Sequence, residues 1–381
     1  MFARVPRRAS DLDGSILTCA PYGQCQRSGA AQCTVRLTLQ AHAKLAQLVR
    51  GTAYSILLTG GAGFIGSHLA EALLQKGMRL AIVDELNHFY SPEIKKANLA
   101  EVRQVGDFEF FHSDICDRYK LREAFEAAQP DIVVHLAARA GVLPSLKDPE
   151  LYERVNVAGT VNLLELCREF KVPKFIFGSS SSVYGVAEQV PFKESNTELR
   201  PISPYAATKL SGEMLSFTYA HLYGLEVICL RFFTVYGPRQ RPDLAIHKFT
   251  ELIEAGSAIP IYGDGSTGRD YTFVNDIVSG LLAALEYHPE SGVGNARFDI
   301  INLGNSHPVT LNRLVEMLET AVGKRAIRKQ LPPQPGDVPI TWADISKAKR
   351  LLGYDPQTPI EKGLAEFVSW FRRSNSRLKA V

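Results

Sequence analysis

No Cys-x-x-Cys pair occurs in the 381 residues, and no histidine cluster stands at zinc-ligand spacing near Cys19, Cys25, Cys33, Cys116, Cys167 or Cys229. The chain thus lacks the signature of a zinc module, and its cysteines read as reduced thiols of a cytoplasmic protein with no metal site. A continuous apolar segment is missing too. The longest stretch without Asp, Glu, Lys or Arg, Gly51 to Ala70, has the length of a membrane span. Its glycines at 51, 60, 61, 63 and 66 mark a strand, a turn and a helix start instead, so no membrane-spanning segment is expected. Most of the chain also lacks basic excess. Residues 1–53 hold seven Arg and Lys against two Asp, a net of +5, leaving 36 basic and 38 acidic residues, a net of −2, for the rest. Such a body has no nucleic-acid signature. Residues 1–53 lack the apolar core of a secretory signal and are expected to be a dispensable or disordered extension. Their arginines and few acids are features shared with organelle transit peptides, and Ala41 to Arg50 has the pattern of a short amphipathic helix.

What is present is an alternation. With 45% hydrophobic residues the chain can bury a large core. From Ser55 onward, short β-branched or aliphatic runs alternate with helical periods, which predicts parallel strands joined by right-handed helical crossovers. The expected strands are Ser55 to Thr59, Arg79 to Val83, Phe108 to Phe111, Ile132 to Leu136, Lys174 to Gly178 and Glu226 to Arg231. Ser67 to Gln75 and Tyr152 to Phe170 are expected helices. The fold class that follows is α/β, a doubly wound parallel Rossmann sheet over residues 54–231. After Arg231 the alternation loosens, with Gly237-Pro238, Pro242, Gly263, Gly265, Gly268 and Pro332-Pro333-Gln334-Pro335-Gly336. Residues 232–381 are expected to form mainly a smaller C-terminal substrate-binding domain, with a strand near Asp299 to Asn302 returning to the main sheet.

The first strand runs into Thr59-Gly60-Gly61-Ala62-Gly63-Phe64-Ile65-Gly66, which opens a helix, the context a dinucleotide fingerprint requires. Gly60 permits the tight turn, Gly63 a close approach of phosphate to backbone, and Gly66 close helix–strand packing, while the helix dipole favours the anion. Asp84 ends the second strand, where its carboxylate can accept from a ribose diol and repel a 2′-phosphate, favouring NAD over NADP. Asp114 and Ile115 after the third strand, and Leu136-Ala137-Ala138 after the fourth, lie at carboxyl strand ends beside the switch point and are expected to contact adenine and ribose. Further on, Tyr205 and Lys209 stand four apart and so share a helix face. There the ammonium is expected to hold the phenol below its ordinary value of about 10.

Together these segments resemble the extended short-chain dehydrogenase/reductase family, and within it the nucleotide-sugar epimerases, over residues 55 to 372. The resemblance rests on the glycine turn, Asp84, His135-Leu136-Ala137-Ala138, Gly178-Ser179-Ser180-Ser181-Ser182-Val183-Tyr184-Gly185, the Tyr205/Lys209 pair and Gly268-Arg269-Asp270-Tyr271. It implies that Tyr205 is the base, that Lys209 binds the nicotinamide ribose, and that Ser180, or Ser182 beside it, relays or steadies the substrate hydroxyl proton. It further implies Arg269 as a diphosphate ligand, Asp337 as a contact to the nucleoside ribose, a UDP-sugar substrate and a homodimer. Removing a hydroxyl proton lets a carbon hydride pass to NAD, and its return to the opposite face inverts the carbon.

Leu230-Arg231-Phe232-Phe233-Thr234-Val235-Tyr236-Gly237-Pro238-Arg239-Gln240-Arg241-Pro242-Asp243 resembles the corresponding segment of UDP-glucuronate 4-epimerases. The resemblance gives Thr234 and Arg241 the sugar carboxylate, which a guanidinium binds bidentately. One departure is Leu143-Pro144, where these epimerases commonly carry Arg-Tyr. A 4,6-dehydratase would carry an Asp-Glu pair where this chain has Ser181-Ser182. A UDP-glucuronate decarboxylase, a 4-epimerase of UDP-glucose or UDP-N-acetylglucosamine, and a non-catalytic NAD-sensing protein are the other readings the sequence leaves open.

Overall fold

The structure, a computed structural model, describes residues 54–186, 189–333 and 338–378. The expectations for residues 1–53 and for Asp337 fall outside the described residues. The strands are β1 (Ser55–Thr59), β2 (Arg79–Asp84), β3 (Glu109–His112), β4 (Ile132–His135), β5 (Lys174–Ser180) and β6 (Glu226–Phe232). They are followed by β7 (Thr234–Tyr236), β8 (Ala258–Tyr262), β9 (Gly268–Phe273), β10 (Phe298–Leu303), β11 (Pro308–Thr310) and β12 (Ile327–Leu331). Seven of them form one sheet in the order β10-β6-β5-β4-β1-β2-β3. Every neighbouring pair in it is parallel. Helices cover both faces, which is why β1 and β4 are apolar runs with every residue buried rather than alternating patterns.

The topology places the site. From β1 the chain steps outward to β2 and β3, then crosses back to lay β4 on the other side of β1, so the carboxyl ends of β1 and β4 diverge. Doubly wound sheets bind ligands in such a crevice. The two strand ends are tied across it. Thr59 pairs in register with His135, and the Thr59 hydroxyl lies 2.8 Å from His135 Nδ1 and accepts from the Ala137 N–H. Thr160 gives its proton to the Asn156 carbonyl, so His135 Nε2 donates to the Thr160 hydroxyl and its Nδ1 accepts from Thr59. Burial with neutral partners pushes the His135 imidazole down to about 3, so it is uncharged at neutral pH.

Several expected boundaries move slightly, while β1 keeps its expected ends. β5 and β6 run past Gly178 and Arg231 to Ser180 and Phe232, because β-pairing continues to those residues, while β4 stops at His135 and β3 begins at Glu109. The helix expected over Tyr152 to Phe170 begins at Pro149, where Asp148 caps it, and it carries a π turn at Arg154–Ala158. β10 returns to the main sheet parallel to β6, as the Asp299 to Asn302 pattern predicts. One hydrophobic cluster spans the expected boundary at Arg231, joining Ile228 and Leu230 to Phe233, Val235 and Ile246. Beyond the main sheet lie a small sheet β11-β9-β7 and the pair β12-β8. No described helix is long and apolar enough to cross a membrane.

Candidate active site

At the carboxyl ends of the strands is a cavity of about 470 Å³. Its lining brings together Gly60, Gly63, Phe64, Ile65, Gly66, Asp84, Asp114, Ile115, Leu136, Ala137 and Ala138 with Ser180, Ser182, Tyr205, Lys209, Thr234 and Arg241. Residues from seven separate stretches of sequence thus face one space. Arg269 is not part of that lining; it stands on β9 with Nη1 donating to the Gly268 carbonyl.

The glycine turn fits a dinucleotide diphosphate. Gly60 has φ +74°, and a Cβ there would come within 2.7 Å of the Ala137 nitrogen on β4's loop. A Cβ on Gly66 would meet the Gly60 carbonyl oxygen at 2.1 Å. The backbone can therefore make this turn only without side chains. The helix Phe64–Gln75 begins at Gly63 with no side-chain cap, so no protein side chain competes with an anion for its first N–H groups. Asp84 is fixed beside the turn: Oδ2 accepts from the Ala62 N–H at 3.1 Å and Oδ1 from the Leu86 N–H at 2.9 Å. Burial pushes its carboxyl up while those two bonds pull it down. A carboxylate with two oxygens still has lone pairs for a ribose diol.

On the other wall, Ser203 caps the helix Pro204–Tyr223 by accepting from the Ala206 N–H, and Pro204 pre-sets its first turn. That start places Tyr205 in the cavity that Ser180 also lines, and Ser180 is the largest influence lowering the phenol against burial. Ser180 also donates to the Ser182 hydroxyl at 3.1 Å, so the two serines form a short chain leading away from Tyr205. Lys209, one turn along, is buried and donates to the Gly178 carbonyl at 2.6 Å over the Phe177 ring.

The expectation that Lys209 holds the Tyr205 phenol low requires correction. Burial dominates and raises the phenol, opposed by the Ser180 hydrogen bond and the Arg241 charge, while the Lys209 ammonium is spent on Gly178. Arg241 is therefore electrically part of the proton-transfer site. Its guanidinium lies 5.1 Å over the Phe89 ring and is held by Asp243, with Nε to Oδ1 at 2.9 Å and Nη2 to Oδ2 at 2.6 Å. Nη2 also reaches the Ala140 carbonyl, which accepts from Tyr152 as well, and the Tyr152 ring stands edge-on to Tyr205 at 6.2 Å.

Several supporting residues were not foreseen. Asn156, in the π turn, accepts from the Arg139 N–H at 2.8 Å and donates to the Arg139 carbonyl and to Thr208 on the tyrosine helix. It ties the loop after β4 to the proton-transfer wall. Arg139 lines the cavity paired with Glu85 at 3.1 Å, and Asn98 donates to the Ala62 carbonyl of the glycine turn. None of these lies in a motif; the one sequence cue was a polar Asn at the centre of an otherwise helical run.

The family profile described as GDP-mannose 4,6 dehydratase matches residues 57–367. The chain belongs to this family. Among its relatives, a UDP-glucuronate 4-epimerase of Thermodesulfobacterium geofontis is 42% identical over 326 residues, 85% of this chain and 98% of the relative. UDP-glucuronate 4-epimerase 1 of Arabidopsis thaliana is 42% identical over 337 residues, 86% of this chain and 78% of the relative. The family fold is shared with the crystal structure of UDP-glucuronic acid 4-epimerase from Bacillus cereus in complex with UDP-glucuronic acid and NAD. That match has TM-score 0.78 and 37% identity, covering 84% of this chain and 99% of the other. UDP-glucose 4-epimerase of Thermotoga maritima, solved with UDP-glucose, matches with TM-score 0.75 and 35% identity over the same shares.

Proposed function

We propose that the protein is an NAD-dependent 4-epimerase of UDP-sugars that interconverts UDP-glucuronate and UDP-galacturonate. The observation that carries this reading is one cavity whose lining holds the dinucleotide turn together with Ser180, Tyr205 and the cation Arg241. When bound beside the glycine turn, NAD would supply the acceptor and donor of the hydride at carbon four of the sugar. The chain's own residues do the rest. Tyr205 accepts the proton of the sugar hydroxyl, and Ser180 steadies that hydroxyl and passes hydrogen bonding on to Ser182. Lys209 orients the nicotinamide ribose from its anchor on Gly178. Thr234 and Arg241 receive the sugar carboxylate, whose fixed position disfavours loss of carbon dioxide from the keto-sugar. Arg269, and Asp337 outside the described residues, serve the nucleotide end, where binding energy holds the substrate while the keto-sugar turns over.

The dehydratase description of the family profile does not transfer as an activity, because Ser181 and Ser182 stand where elimination needs its acid and base. A cytoplasmic homodimer completes the reading, supported by the exposed apolar side chains Met214, Leu222 and Tyr223 along the tyrosine helix. Incubation of the purified protein with UDP-glucuronate, UDP-glucose and UDP-N-acetylglucosamine, with chromatographic separation of products, tests the assignment. UDP-galacturonate as the main product supports it. Exclusive formation of a UDP-pentose moves the assignment to decarboxylase, and turnover confined to the neutral sugars removes the role given to Arg241.

A further inference from the structure

Where the tyrosine helix packs on β5 and β6 lies a buried charge cluster that the chemistry above does not use. Glu213, one helical turn beyond Lys209, is 0% exposed, and Arg231 on β6 is 1% exposed. Arg231 donates from Nε to Glu213 Oε1 at 2.9 Å and from Nη2 to Oε2 at 2.7 Å. The Ser179 hydroxyl donates to the same Oε1 at 2.6 Å. Gly178 and Ser179 are consecutive on β5 and pair across the sheet with Leu230 and Arg231. One carbonyl there takes the Lys209 ammonium and the next side chain holds the Glu213 carboxylate. Three elements converge on this point.

Stability is a weak reason for such a pair, since apolar replacements of buried ion pairs are often as stable or more so. A lone buried ammonium, by contrast, needs an anion nearby to stay charged. The groups around Lys209 are few. Glu213 faces it from its own helix, the Phe177 ring and the Gly178 carbonyl from β5, Cys229 from β6, and neutral His135 from β4. Burial keeps the Cys229 thiol far above its ordinary range, so the carboxylate in this shell is that of Glu213, paired with Arg231.

We infer that Glu213, held in place by Arg231 and Ser179, is a positioning residue that keeps Lys209 an ammonium and fixes its Nζ on the Gly178 carbonyl. Burial lowers Lys209 to about 8, and the Glu213 charge is the largest influence opposing that fall. The inference rests on reading Lys209 as the ribose-orienting cation, but its test does not depend on turnover.

The test is an NMR titration of the full chain with ¹³C at lysine Cε, the Lys209 resonance being the one absent from K209M. In E213Q the Arg231 charge loses its counter-ion, and the Lys209 midpoint is expected to fall by about one pH unit or more. In E213Q/R231Q both charges are gone, and the midpoint is expected between those of E213Q and the wild type. The double variant leaves no unpaired guanidinium at position 231, so it decides the question if E213Q does not fold. A wild-type midpoint in either folded variant, with only thermal stability reduced, overturns the inference and leaves Glu213 a structural residue. Failure of the UDP-glucuronate assignment would appear in product analysis and leave this titration unaffected.

Discussion

The cofactor wall and the sugar wall of the cavity are built from different materials. The cofactor wall is mainly backbone: the Gly60 turn, the uncapped helix start at Gly63, the strand end at Asp84 and the loop after His135. Each is positioned by the parallel sheet and by contacts that leave no room for side chains, such as Gly66 against the Gly60 carbonyl. The sugar wall is mainly side chain. Arg241 is oriented by Asp243, Phe89 and the Ala140 carbonyl, which come from three separate places in the sequence. A backbone-built site varies little because the fold itself is its geometry. A side-chain site can vary residue by residue, and Leu143-Pro144 stands where the resemblance leads one to expect Arg-Tyr.

Substitutions should separate the two walls. The largest effect belongs to the group between them: Tyr205→Phe should lower turnover by roughly 10³-fold while NAD binding stays near wild type, as removal of a general base does. Turnover and NAD affinity, measured on the same preparation, check this. Next, Gly66→Ala should abolish tight NAD binding and destabilise the fold by about 1–3 kcal/mol, because overpacking here presses on backbone; calorimetric titration with NAD reads it. Arg241→Lys should leave NAD binding intact. Its cost, about 1.5–3 kcal/mol for a lost charged hydrogen bond, is roughly 10- to 100-fold in KM for UDP-glucuronate, and less for a neutral UDP-sugar.

A smaller effect concerns the brace between the two strand ends. The folded pKa of His135 is depressed, so the stability tied to its neutral form is complete above the unfolded value near 6.5 and is lost as pH falls toward about 3. At pH 4 the loss is on the order of 3 kcal/mol. His135→Gln, which can still bond both threonines, should flatten the fall in unfolding free energy between pH 7 and pH 4. Denaturant melts across that range measure the slope. Smallest of all, breaking the exposed Lys96–Glu93 pair should change stability by less than about 1 kcal/mol.

The difference between the walls also governs what could be read before the structure was seen. The strand and helix alternation, the glycine turn, Asp84 and the apolar run of β10 are local patterns, and local patterns survive in one dimension. Tyr205 and Lys209 were legible as a helix pair. Their electrostatics were not, because the charge that acts on Tyr205 comes from Arg241 and the carbonyl that takes Lys209 comes from β5. Asn156, Arg139 and Glu213 escaped notice for the same reason. Each has a polar partner between 17 and 54 residues away, and nothing in its own neighbourhood announces it.

The central claim is that both walls act on carbon four of one sugar. UDP-glucuronate carrying deuterium at carbon four tests it most directly, with the product examined by NMR and mass spectrometry. Hydride removal and return within the closed cavity predict UDP-galacturonate that keeps its deuterium at carbon four. Inverted product with the label exchanged for solvent hydrogen, or labelled UDP-pentose in place of UDP-galacturonate, would contradict it.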